Sequence, residues 1–557
     1  MKEIMSPWKR FVGLLELDKQ DIKQIFYYAI FAGLVALTLP LGIQAIINLI
    51  QGAQVSTSWI VLVILVTLGV AFHGILQLMQ IRILENIQQK IFTRSSFEFT
   101  YRFPKIKMSE LRNYYPPELA NRFFDTLTVQ KGLAKILLDF PAAFLQILFG
   151  LILLSFYHPF FIIYGLLLVI LIYVVFKYTA RRGLETSLNE SKEKYKVAHW
   201  IQEVARSLIS FKLSGRTQLA MQQNDALTTE YLEARESHFK ILVLQFVQMI
   251  GFKVLVTAGL LIIGGLLVLN QQMNIGQFVA AEIIIILVMS SVEKLITGLE
   301  SFYDVLTSLE KIGQVVDKEL EPQDGENPFE VDQPLSLELD EVAYTTPDNK
   351  SILKNINFNI TTKDRMLLTG ASGSGKTSLL KLISGLNEVT SGYIYINNVS
   401  MKGVMPNKFR SYVGQVLPGQ LPFEGSILEN ITFGDENISS DQLHEVLKNL
   451  GLLSFIKEQP NGLQTKLYSD GSRISFTIAR RIILARAIIN NPKLLLLKDP
   501  LEHCDREEAK QIIHYLCAPE RPWALIVASR NNLWEQYATN IIELKDGIIH
   551  SKNENDA

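Results

Sequence analysis

The chain has 557 residues, 48% of them hydrophobic and 20% charged, with a formal net charge of −1 and a mean hydropathy of +0.20. That length exceeds one compact domain, and positive hydropathy with so little charge points to membrane segments rather than a soluble globule. The near-neutral charge leaves no electrostatic footprint for nucleic acid, and the two cysteines, Cys504 and Cys517, build neither a disulfide framework nor a zinc site, so they read as core thiols.

The N-terminal stretch MKEIMSPWKRFVGLLELDKQDIK scatters its charges and lacks an apolar core ending in small residues, so it reads as a cytosolic lead-in, not a cleavable signal. Apolar stretches follow at Phe26–Ile50, Trp59–Ile81, Ile136–Tyr157, Phe160–Phe176, Ile241–Leu269 and Ile275–Ser290. Most are near the roughly 20 residues a helix needs to cross hydrocarbon. The fourth is shorter and meets the third at the turn of His158 and Pro159; Pro40 inside the first is tolerable in a membrane helix. The connections 51–58, 158–159 and 270–274 contain no Lys or Arg, whereas the N-terminus and segments 82–135 and 177–240 are rich in both. The positive-inside rule therefore places those long segments and both termini in the cytoplasm, with a multi-pass chain in the lipid bilayer.

Helical periodicity in the two long polar segments predicts that the membrane helices continue as intracellular arms. Glu282 lies inside the last span, where an ionisable group must face protein or water. It reads either as a cavity residue meeting a cationic substrate or as a group hydrogen-bonded between helices. Lys253, whose stem can snorkel to the cytoplasmic interface, and the lone His73 read as structural.

The acidic, Pro- and Gly-containing segment Asp317–Pro334 reads as a linker. From Leu335 short apolar strands alternate with helices, as in an α/β domain. The expected organisation is a membrane domain over 1–316, a linker over 317–334 and an α/β domain over 335–557.

The strongest motif is Gly370-Ala371-Ser372-Gly373-Ser374-Gly375-Lys376-Thr377, between the apolar strand Arg365–Thr369 and a helix opening at Ser378. Backbone N–H groups of such a loop point at phosphates, and the helix N-terminus adds partial positive charge. Lys376 would reach the β- and γ-phosphates of ATP, and the Thr377 hydroxyl would hold Mg²⁺.

With this loop the chain resembles ABC exporters along nearly its whole length. Phe423-Glu-Gly-Ser-Ile-Leu-Glu-Asn430-Ile is similar to the family's segment after the Q-loop. Ala485-Arg486-Ala487 through Pro492-Lys493 and Leu494–Leu497 resemble the helix and strand leading to Walker B, and Ile541 to Ile548 the closing hairpin. Pro117-Glu118-Leu119-Ala-Asn-Arg122 is similar to the first intracellular coupling region. The resemblance implies a six-helix transmembrane domain of exporter type joined to an α/β P-loop nucleotide-binding domain. It also implies a homodimer, or a heterodimer with another half-transporter, whose nucleotide domains sandwich ATP between one chain's Walker A and the other's signature. Gly276-Gln-Phe-Val-Ala-Ala resembles the peptide and type I secretion branch. That branch implies a bacterial inner membrane and a periplasmic adaptor, although a first span near residue 25 leaves no room for an N-terminal peptidase domain.

Several positions depart from the family. Its LSGGQ signature falls on Ile474-Ser475-Phe476-Thr477-Ile478, so bulk replaces the glycines that let backbone approach phosphate. In one register the Mg²⁺-supporting Walker B aspartate becomes Lys498, and Asp499, a short carboxylate, stands as the candidate base. In the other, Asp499 is the Walker B residue and Pro500 takes the base position. Asp505 matches the D-loop aspartate. The switch histidine falls on Ser529 and the Q-loop glutamine on Pro418, with Gln415 and Gln420 as substitutes close by. The adenine-stacking aromatic falls on Thr346, with Tyr344 two residues away. Together these predict a domain that binds nucleotide and hydrolyses it poorly, with the Lys498 ammonium neutralising phosphate in place of Mg²⁺.

Overall fold

Hydrophobic length dictates the first half of the computed structural model. Helices long and apolar enough to span a bilayer run over Lys19–Gln51, Thr57–Lys105, Pro116–Ser155, Phe160–Arg206, Gln218–Leu269 and Ile275–Val316. The structure describes residues 5–51, 57–216, 218–329 and 333–554; most of the connection after the first span (52–56) and part of the segment read as a linker (330–332) lie outside them. The fourth helix has 47 residues and the fifth 52. At about 1.5 Å per residue each exceeds twice the ~30 Å hydrocarbon thickness, so both continue well beyond the membrane.

Pro40 leaves its mark one turn upstream. Lacking an N–H, it cannot donate to the Ala36 carbonyl, and the first helix breaks at Leu37, whose N–H bonds to Leu34 O. The sixth helix opens on a capping box, with Asn274 Oδ1 accepting from the Gln277 N–H at 2.7 Å and Gln277 Oε1 accepting from the Asn274 N–H at 2.9 Å. It forms the axis of the bundle: half of its most apolar window is buried, against 11% for the second helix. Ile284, Val288, Val292 and Ile296, one helical face, pack with Leu154, Leu168, Val175 and Val256. Close approach of the third and sixth helices requires small residues. A Cβ on Gly150 would stand 2.7 Å from Val288 Cγ2, and one on Gly132 2.4 Å from Val305 Cγ2.

The second half holds twelve strands: β1 (Ser336–Thr345), β2 (Ser351–Thr361), β3 (Arg365–Thr369), β4 (Ser391–Ile396), β5 (Val399–Ser400), β6 (Val413–Val416), β7 (Gly425–Ser426), β8 (Lys466–Leu467), β9 (Leu494–Lys498), β10 (Ala524–Ala528), β11 (Asn540–Lys545) and β12 (Ile548–Glu554). One sheet has the order β12-β11-β3-β10-β9-β6, parallel except for β12; an antiparallel sheet has the order β2-β1-β4-β5. The uninterrupted run Leu494–Leu497 is fully buried because both faces of the larger sheet are covered. Leu495 and Leu497 face a core with helices Phe476–Ile488 and Arg506–Cys517, while Leu494 and Leu496 face one with β1, β2 and helix Lys376–Ile383.

The chain divides into two compact units, Met1–Lys105 with Asn113–Lys318, and Ile106–Arg112 with Glu319–Ala557. Two segments therefore behave differently from their sequence reading. Ile106–Arg112, upstream of the Pro117–Arg122 motif, belongs to the second unit, where Ile106 bridges Leu320. The acidic stretch read as a linker is docked in part: Glu321 pairs with Arg410 at 2.6 Å, and the Phe329 ring, 2% exposed, packs on Phe409 and Tyr412. Glu321 thus serves an ion pair, while Asp324 and Glu326 stay exposed.

Candidate functional site

The phosphate loop is shaped by two glycines. Gly370 has φ +125° and a Cβ there would lie 2.1 Å from Leu544 O; Gly375 has φ +103° and a Cβ there would lie 2.6 Å from Leu353 Cδ2. Between them the loop wraps the Lys376 ammonium, which donates to Gly370 O and Ala371 O, both at 2.7 Å, and to Ser374 Oγ at 3.0 Å. Burial lowers the Lys376 pKa, the positive charges of Lys498 and Arg530 lower it further, and Asp499 opposes them.

A cavity of about 820 Å³ opens over this loop at the ends of β3, β9 and β10. Of the residues singled out in the sequence, it gathers Ser372, Gly373, Ser374, Gly375, Lys376, Thr377, Ser378, Lys498, Asp499 and Ser529. The ladder explains why: Lys498 is in register with Ala528 on β10, and Ala528 with Leu368 on β3, so the residues after each strand meet above the loop. Asp499 takes a left-handed φ of +42°, its N–H bonds to Ala528 O at 3.0 Å, and its carboxylate pairs with the Lys498 ammonium. Ser529, 7% exposed, accepts a hydrogen bond from the Asn531 N–H at 3.2 Å.

Other candidates lie elsewhere. Tyr344, the substitute for the adenine-stacking ring, lines a separate cavity of about 660 Å³, and its hydroxyl accepts from Asn387 Nδ2 at 3.3 Å. It does not line the cavity over the phosphate loop. Gln415 and Gln420, read as substitutes beside the Q-loop position, are both engaged in local structure. Gln415 is held in β6 opposite Leu496, and Gln420 Oε1 closes the Pro418-Gly419 turn by accepting from the Leu417 N–H at 3.0 Å; neither lines the cavity. In the signature segment, Ser475 caps the helix by accepting from the Ile478 N–H at 3.2 Å. Phe476 is 48% exposed with its ring against His503, Thr477 is half-buried, and Ile478 packs on the core.

In the membrane unit Glu282 is half-buried beside the fully buried Ala281, and its carboxylate has no hydrogen-bond or ion-pair partner among the described residues. His73 Nδ1 lies 3.0 Å from Ala32 O, a packed histidine, and Lys253 pairs with Glu293 at 3.5 Å.

Sequence reasoning missed Lys350, Arg530 and Trp534, which also line the phosphate cavity. Arg530 was visible beside Ser529; Lys350 and Trp534 carry no local signal. At the position next to the loop the donors suit Mg²⁺ poorly: Asp499 is tied to Lys498, whose ammonium itself stands on the cavity wall, and Glu502 is the other carboxylate lining it.

Residues 353–502 match the family model described as "ABC transporter", and residues 24–292 the one described as "ABC transporter transmembrane region". The former match implies ATP binding. Among curated relatives, the alpha-hemolysin translocation ATP-binding protein HlyB of Escherichia coli O157:H7 is 28% identical over 55% of this chain and 43% of its own length. HlyB of Proteus vulgaris is 29% identical over 56% and 44%. The chain spans less than two thirds of the length of these relatives. The structure of a bacterial Atm1-family ABC exporter with ATP bound superposes with a TM-score of 0.83 at 16% identity, covering 96% of each chain, which establishes the exporter fold.

Proposed function

The chain belongs to the ABC transporter family, with the transmembrane region and the ATP-binding domain in one polypeptide, and from that premise we propose that it is half of an exporter that binds ATP at Gly370–Ser378 and hydrolyses it weakly or not at all. Binding of ATP is coupled to movement of a substrate across the membrane. The observation that carries this reading is the wall facing the phosphate loop, where Lys498 and Ser529 stand on a cavity whose glycine loop is intact. Asp499 is the one candidate base, and its pairing with Lys498 holds the carboxylate away from a water.

Exporter halves of this kind typically work as dimers. In a homodimer both composite sites would be defective. In a heterodimer Lys498, Asp499 and Ser529 would spoil one site and Phe476 the other. The Lys- and Arg-free short connections support cytoplasmic termini and a cytoplasmic nucleotide domain. Similarity to the alpha-hemolysin translocation proteins supports a bacterial inner membrane and a periplasmic adaptor as partner. The unpartnered Glu282 is the candidate contact for a cationic substrate.

Mg²⁺-ATP hydrolysis by the full chain in lipid nanodiscs, beside Lys376→Ala, tests the proposal. A wild-type rate at the Lys376→Ala background is expected; a rate well above it would make the chain an active exporter. Because both halves of the ATPase site are altered, a nucleotide-responsive scaffold that moves nothing is the second reading. An ATP-dependent change in distance between the two nucleotide domains, measured between spin labels, favours the transporter over it.

A further inference from the structure

We infer that the phosphate-loop cavity takes a metal-free nucleoside triphosphate, with the Lys498 ammonium doing the electrostatic work that Mg²⁺ does in other P-loop sites. The inference rests on the reading that this loop binds ATP. Three observations carry it. The first is local charge. In metal-dependent P-loop sites an aspartate at the end of this strand and its Mg²⁺ together leave a single positive charge beside the β- and γ-phosphates. Lys498 supplies the same charge with no ion, at the last residue of β9 and on the wall that faces the loop.

The second is the balance over the whole cavity. Lys350, Lys376, Lys498 and Arg530 line it, against the carboxylates of Asp499 and Glu502. Lys498 and Arg530 both lie close enough to Lys376 to repel its charge. Such a wall favours a fully ionised triphosphate, which is what remains when no cation accompanies the nucleotide. A dication entering beside these groups would instead be repelled.

The third is donor geometry. An ammonium has three N–H donors, and Asp499 is the one ion-pair partner Lys498 has among the described residues. Two donors are therefore left for phosphate oxygens. Lys376 is held by loop carbonyls on the opposite side, so a phosphate seated on the loop would lie between two ammonium groups.

The test is binding of radiolabelled ATP to the full chain in nanodiscs, in excess Mg²⁺ and in excess EDTA. Wild type should bind within about threefold under both conditions. Lys498→Asp should lose about tenfold or more in EDTA and recover with Mg²⁺, while Lys498→Arg keeps the metal independence. If Lys498→Asp fails to fold, Lys498→Met replaces it, with weakened binding in both media expected. Wild-type binding that falls more than about tenfold in EDTA would overturn the inference. So would a folded Lys498→Asp that binds like wild type in EDTA. The underlying reading fails in a different way: no binding above Lys376→Ala in either medium would remove ATP binding itself and the inference with it.

Discussion

One wall of the phosphate cavity is the glycine loop that carries Lys376 and Thr377; the other carries Lys498 at the end of β9, with Asp499 and Ser529 just beyond β9 and β10. The two walls nevertheless have the same quality of support. β3 behind the loop and β9 and β10 behind the altered wall are all buried strands of one parallel sheet, joined in unbroken register. Chemistry here sits on residues just past the strand ends, while stability sits in the strands.

The largest effect expected from probing this contrast is at the intact wall. Gly370→Ala forces a Cβ to 2.1 Å from a backbone oxygen at φ +125°, and should cost at least about 3 kcal/mol together with ATP binding. A thermal melt and a labelled-ATP binding curve check both; retention of either would mean the loop is not held as tightly as its geometry indicates.

On the altered wall, Leu497→Ala should cost about 2–4 kcal/mol, since the side chain is fully buried in β9. A loss below about 1 kcal/mol in the same melt would show that this wall is the softer of the two.

Repairing the chemistry should do little by single steps. Lys498→Asp or Ser529→His alone should leave ATP hydrolysis within about threefold of the Lys376→Ala background, because catalytic groups act as a unit. A tenfold gain from either would show that one group alone was missing.

The smallest effect concerns the thiols. Burial pushes Cys517 up to about 12 and raises Cys504 as well. Both therefore carry less thiolate than in the unfolded chain, so native alkylation at pH 8 should be slower than in the unfolded chain by about tenfold or more. Equal rates would mean that the helix bearing Cys517 opens readily.

Elements with a local physical signature are legible in the order of residues alone. The six spans follow from hydrophobic length, and the phosphate loop from glycines whose backbone no other residue adopts. The degenerate positions are legible because they stand at fixed offsets from an apolar strand and a helix. Side-chain surroundings are less accessible: Tyr344 is two residues from the position sought, yet it lines a cavity other than the one over the loop.

The amino-acid sequence by itself determined the class of this protein, its six spans and the glycine loop of its nucleotide-binding domain. These follow from contiguous residues, whose hydrophobicity and backbone freedom need no distant partner. Tertiary structure alone decided that Lys350 and Arg530 join Lys498 around the loop. It also decided that Glu321 and Phe329 dock on the nucleotide unit and that Ile106–Arg112 belongs to that unit. Each of these depends on strands and segments far apart in the chain being brought side by side, and sheet order is set by the packing of both faces rather than by any local pattern.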